Sequence, residues 1–125
     1  MKFKKTEKCD LEVKRAKSVM TSNMSSSISP ENQMKIFKIA HEKLGCKGET
    51  EYGECAPDFL IFDPTERFFE KEEDDGRSLH IGFPGLESKV YVKLDDYGSR
   101  ENLSENIGYP VDTRFLKTFM LSEDY

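Results

Sequence analysis

Between Pro30 and Leu44, Met34, Phe37, Ala40, His41 and Leu44 recur at spacings of three and four. That period predicts an amphipathic helix over 30–44. Ser29 stands before it as a cap for a free first-turn amide, Pro30 occupies the position where no N–H is needed, and Gly45 can supply a left-handed stop. Later the period changes to two. Ser78 to Phe83 places Leu79, Ile81 and Phe83 on one face and Ser78, His80 and Gly82 on the other, as a half-buried strand requires. Phe59 to Phe62 is a continuous apolar run between Asp58 and Asp63-Pro64 and reads as a strand buried on both faces. Phe115 to Leu121 reads as a last strand.

The remaining segments are less regular. Residues 1–17 form a basic, polar lead in which Leu11 to Ser18 suits a short helix or a strand. A Ser-rich stretch follows, with a short strand expected around 18–24. Lys47 to Gly53 suits a strand or a turn, and Thr65 to Glu70 a strand. The acidic run Glu72 to Gly76 ends in Asp-Gly, a hairpin signal. Residues 87–97 fit a helix by one stripe and a strand by alternation. Ser99 to Pro110 is polar and suits an irregular strand. A helix followed by several strands allows two βαβββ passes in 125 residues.

Composition narrows the function classes. Nineteen basic and 24 acidic side chains give a net charge of −5, without the positive surplus of a general nucleic-acid binder. Residues 1–17 nevertheless hold seven basic against three acidic side chains. No apolar run approaches a membrane span, and MKFKKTEKCD has no apolar core of a signal peptide. Cys9, Cys46 and Cys55 are widely spaced and lack a CxxC pair, so free thiols and a cytoplasmic location are expected.

Three stretches resemble the vicinal oxygen chelate superfamily, which includes glyoxalases, bleomycin-resistance proteins and extradiol dioxygenases. FKIAHEKLG is similar to its first helix, ECAPDFLIFDP to its Pro-Asp-Phe strand, and GRSLHIGF to the opening strand of its second module. The tail from Tyr97 to Tyr125 resembles its later turn, ligand-side loop and strand. The resemblance implies an α+β fold. Two βαβββ-type modules, about 18–75 and 76–125, would form a curved mixed sheet with helices on the outer face, and the basic segment 1–17 would lie outside them. The final family strand would fall beyond Tyr125. An edge near Phe115–Leu121 is therefore expected, closed by a homodimer or by an N-terminal segment.

The resemblance also implies chemistry. Such proteins hold a divalent metal with His, Glu or Gln from both modules and leave positions open for vicinal substrate oxygens. His80 falls at the second-module His. The first-module position falls near Ser22 or Asn23, and the last ligand has no counterpart. A binding domain with an incomplete metal site is thus the first expectation, taking a small molecule or a protein. His80, Tyr109 and Arg114 are its candidate ligand-binding residues, and its cofactor is none or unknown. A metal-dependent lyase or dioxygenase, using Zn, Ni, Mn or Fe at His80 and completed by a dimer partner, is the alternative. A third reading takes Pro57-Asp58 with Glu87 and Lys89 as the PD-(D/E)xK pattern of a nuclease, whose acidic pair would hold Mg²⁺.

Overall fold

The computed structural model describes residues 7–49 and 54–125, with residues 7–10 and 49 described by backbone alone. The chain forms α1 (Glu7–Lys14), β1 (Lys17–Met20), α2 (Ser22–Ser27), α3 (Pro30–Lys43), β2 (Gly48–Glu49), β3 (Cys55–Ala56) and β4 (Phe59–Pro64). It continues through β5 (Phe69–Glu73), β6 (Ser78–Phe83), β7 (Val90–Asp96), α4 (Arg100–Ile107) and β8 (Phe115–Leu121). Six strands make one open mixed sheet in the order β1-β8-β7-β4-β6-β5, and β2 pairs with β3 apart from it. The fold class is α+β.

β1 runs parallel to β8, whereas β8–β7 and β7–β4 are antiparallel. The elements β1, α3, β4, β7 and β8 therefore trace one βαβββ pass. β5 and β6 are inserted between β4 and β7 as a hairpin, with β6 parallel to β4 and β5 outside it. The boundary expected near residue 75 falls inside this hairpin, so the strands do not divide into two successive modules there. Burial gives the reason. Leu79, Ile81 and Phe83 of β6 join Leu60 and Phe62 of β4 in one core, which buries more apolar surface than two half-sized cores would.

β8 is not an open edge. Lys17 to Met20 pair with Leu116 to Phe119, so the edge that argued for a dimer is covered by this chain's own β1. The outer strands are β1 and β5. β5 carries Glu70, Lys71, Glu72 and Glu73, charges that discourage pairing with another chain.

Several local expectations are corrected. The helix starts at Pro30 with Ser29 Oγ accepting from the Asn32 amide, and Gly45 takes φ +66° just beyond it. Its buried row, however, is Ile36 and Ala40 with the capping Leu44; Met34 is 72% exposed. The strand expected around 18–24 is present as β1 (Lys17–Met20), and the Ser-rich stretch beyond it forms α2, capped by Thr21 and anchored by buried Met24, with buried Ile28 just beyond it. The polar stretch after Tyr97 forms α4: the Ser99 hydroxyl accepts from the Asn102 amide, and Gly108 closes the helix in the left-handed region. Capping defines α4, because Leu103 is its buried residue. Within residues 87–97, Val90–Asp96 form a strand. Cys55 is disulfide-bonded rather than a free thiol. Expectations on residues 1–6 and 50–53 lie outside the described residues.

The sheet has two unlike faces. On one, Val13, Met24, Ile36, Ala40 and Leu44 from α1, α2, α3 and the α3 cap bury Leu60, Phe62, Val90, Val92, Phe115 and Phe119. On the other, strand alternation puts Phe59, Ile61, Asp63, His80, Tyr91 and Lys93, none of them fully buried.

Candidate functional site

His80 occupies this second, open face, opposite Leu79 and Ile81. Parallel pairing sets Ile61 beside His80 and Asp63 beside Gly82, which brings the Asp63 carboxylate diagonally to the ring. Nε2 lies 2.9 Å from Asp63 Oδ2, and Nδ1 lies 3.4 Å from Glu73 Oε1 on the hairpin side. The Phe69 ring centroid is 5.4 Å from that of His80. Phe69 reaches this position because its partner is Gly82: a Cβ there would stand 2.3 Å from a Phe69 ring carbon. Beyond Ile61, Phe59, Tyr91 and Tyr125 form an aromatic trio with centroids 5.1–5.7 Å apart.

These residues do not fit the metal that the family resemblance implies. Each His80 ring nitrogen faces a different carboxylate, so neither nitrogen is left open toward a common centre. At the first-module position, Asn23 donates to Asp124 Oδ1 at 2.7 Å, and Ser22 begins α2 after β1, at the opposite side of the sheet from β6. Among the described residues no group of three or more His, Cys, Asp and Glu side chains is placed to hold a metal ion.

Tyr109 and Arg114 do not join His80. Arg114 lies just before β8, three strand spacings from β6, about 14 Å at the usual strand separation. Its guanidinium is held by Glu12 at 3.0 Å and Asp96 at 3.3 Å. Tyr109 follows α4, and the Lys17 ammonium sits 5.4 Å from its ring centroid. Both stand where β1 meets β8.

The nuclease pattern is likewise dispersed. Asp58 precedes β4 and accepts from Arg77 at 3.0 Å. Burial pushes its carboxyl above the usual range, against the pull of that Arg77 hydrogen bond. Glu87 lies beyond the other end of β4 and caps α3: it accepts from the Ser29 amide at 2.8 Å and the Asn32 side chain at 2.7 Å. Those bonds hold the Glu87 carboxyl below its ordinary value.

The helix-covered face contains a polar residue that sequence reading passed over. In β8, Phe115, Lys117, Phe119 and Leu121 share the core parity, and Lys117 is the buried charged residue among them, 4% exposed. Lysine is almost never buried without a partner. Lys117 has no hydrogen bond or ion pair among the described residues. It lines a cavity of about 460 Å³ between β8 and the helices, with Lys14, Lys38, His41, Phe37 and Phe119. Phe37 and Phe119 meet edge to face with centroids 4.5 Å apart. None of the described lining residues is a carboxylate. Burial lowers the Lys117 ammonium below the ordinary lysine range; nearby Cys46 opposes this shift and Lys14 adds to it. The available signal was the alternation in FLKTFML, which places a lysine on the apolar face.

No family model, no curated protein and no solved structure matches this chain.

Proposed function

We propose that this chain is a small-molecule-binding domain whose ligand is a compact anion with an apolar or aromatic body, seated in the Lys117 cavity. One observation carries the reading: Lys117, 4% exposed and without a hydrogen bond or ion pair among the described residues, opens on a pocket whose other charged residues among those described are basic. Burying an ammonium without a partner is costly. An anion would remove that cost on binding, while Phe37 and Phe119 would cover its apolar part. The chain as a whole is acidic, with a net charge of −5, so the cavity is a positive recess that concentrates anions against the background. The volume suits a ligand of small-metabolite size.

This reading keeps the binding role expected of a vicinal-oxygen-chelate-like domain and moves its site. The strand order β1-β8-β7-β4 supports that ancestry as one βαβββ pass; the metal-enzyme alternative would need ligands other than those around His80. Thermal unfolding with added benzoate tests the binding role directly. Benzoate should raise the melting temperature of the wild type, as any ligand of the folded state does, and should leave Lys117→Met unchanged. Zn²⁺, Ni²⁺ and Mn²⁺ should leave the wild type unchanged with or without EDTA. Metal-dependent stabilisation that His80→Ala abolishes would restore the enzyme alternative.

A further inference from the structure

We infer that Lys117 is a nucleophilic amine that captures the carbonyl carbon of an anionic aldehyde or oxo acid as an imine. This inference rests on the anion-binding reading above and adds a reaction to it. Geometry carries it. Lys117 lines a recess with Lys14, Lys38 and His41 around it and an aromatic pair beside it. The basic rim serves two purposes: Lys38 can hold the carboxylate of an oxo acid, and the charge of Lys14, added to burial, favours the uncharged amine. The displacement of the Lys117 ammonium toward the neutral form agrees in direction. The charged and titratable groups facing it are Lys14 from α1, Lys38 and His41 from α3, and Cys46 beyond α3. Lys35, by contrast, is 55% exposed and stands in an ion pair with Glu31.

The step balances without a further reactant. The neutral amine's lone pair forms a C–N bond to the carbonyl carbon, and the carbonyl π pair moves to oxygen, which takes up a proton. Nitrogen releases one proton, giving a neutral carbinolamine. The C–O bond then breaks as oxygen leaves in a protonated form, as water, and the nitrogen lone pair closes a C=N⁺ double bond. The sum is amine plus carbonyl plus one proton, giving iminium plus water, with no change of oxidation state. A carboxylate on the captured molecule stays with the cationic rim, and its apolar part lies against Phe37 and Phe119.

The test uses the full chain with 4-carboxybenzaldehyde and cyanoborohydride, which reduces the imine to a stable amine, followed by peptide mass mapping. The expected result is one dominant adduct on Lys117, formed ahead of every exposed lysine. It should be suppressed by excess benzoate and weakened in Lys38→Ser, whose exposed side chain can be replaced without disturbing the core. Benzaldehyde, lacking the carboxylate, should label Lys117 less. A label spread evenly over exposed lysines, or an undiminished pattern in Lys117→Met, overturns the inference. The two readings fail separately. If benzoate stabilises the wild type but not Lys117→Met while no Lys117 adduct forms, the covalent step falls and anion binding stands. If benzoate has no effect on either protein and the adducts are unselective, both fall.

Discussion

The two faces of the sheet each hold a basic side chain, and the chain treats the two differently. On the open face, His80 is flanked by Asp63 and Glu73, one carboxylate to each ring nitrogen. On the covered face, Lys117 is more deeply buried and has no carboxylate among its described cavity neighbours. A basic group surrounded by its own acceptors is self-sufficient and has little left to offer a ligand. An ammonium largely withdrawn from water and without an acceptor among the described residues leaves free energy that a ligand can recover. The motif resemblance drew attention to His80. The unmet electrostatic need lies at Lys117.

The most severe way to break this comparison is to collapse the covered face. Phe119 is 2% exposed and is both core and cavity wall. Phe119→Ala should cost about 3–5 kcal/mol, the usual loss for a buried phenylalanine. Benzoate stabilisation should disappear with it. Urea unfolding followed by circular dichroism measures the first effect. A loss below about 1 kcal/mol, the scale of an ordinary surface change, would mean that Phe119 is not packed as described.

The next test reverses the usual sign. Lys117→Met keeps the stem and removes the charge, so it should stabilise the protein by about 0.5–2 kcal/mol, the common gain when a functional compromise is relieved. A structural lysine would give a loss. The same variant should be inert to benzoate, so that stability and binding move in opposite directions. A Lys117→Met protein that is less stable than the wild type in urea would refute the description of Lys117 as an unmet charge.

How much of this was legible beforehand depended on the range of the interaction. The helix over Pro30–Lys43 was readable because its cap, first-turn proline and terminator are local. The facing of β6 followed from alternation alone. The buried row of α3 was misplaced from Ile36 to Met34 and Phe37, because several registers of three and four coexist in a sequence this rich in apolar residues. α4 was hidden because only Leu103 is buried and caps define its ends. The strand order was not readable: β6 beside β4, with β5 outside, is a choice among pairings separated by many residues. For the site, the parity of Lys117 was visible in FLKTFML, but its lack of a partner depends on α1 and α3 as they lie across β8. The partners of His80 come from two other strands, so they also required the fold.

On the open face the effect should be smaller. His80→Ala removes one hydrogen bond to Asp63 and leaves both carboxylates within reach of water. A loss of about 0.5–1.5 kcal/mol is expected, the net value of a typical hydrogen bond. Benzoate stabilisation should survive, because His80 and Lys117 lie on opposite faces. If His80→Ala abolished benzoate binding while remaining folded, the functional division between the faces would be wrong.

The smallest effect is a dependence on pH, and it sharpens the comparison by isolating one proton. The folded chain holds the Lys117 ammonium below its ordinary value, chiefly by burial. Between that lowered value and the ordinary lysine value near 10.4, the unfolded chain binds more protons than the folded one. Wild-type stability therefore gains from Lys117 as pH rises through this window. Below the window both states are protonated, and the full cost of the buried ammonium is present. Lys117→Met has no such group, so its stability advantage should be largest near neutrality and should shrink as pH approaches the lysine range. The acid side offers a control of opposite sense. Hydrogen bonds from Asn23, Thr21 and the Leu121 amide hold Asp124 below the usual aspartate range. Its contribution is present above the unfolded value near 3.9 and is lost as pH falls through the folded one. Asp124→Asn should consequently flatten the acid limb and leave the alkaline difference between wild type and Lys117→Met intact. Urea midpoints for the three proteins across a pH series measure both limbs. An advantage of Lys117→Met that stays constant up to the lysine range would show that the Lys117 ammonium is solvated like any other.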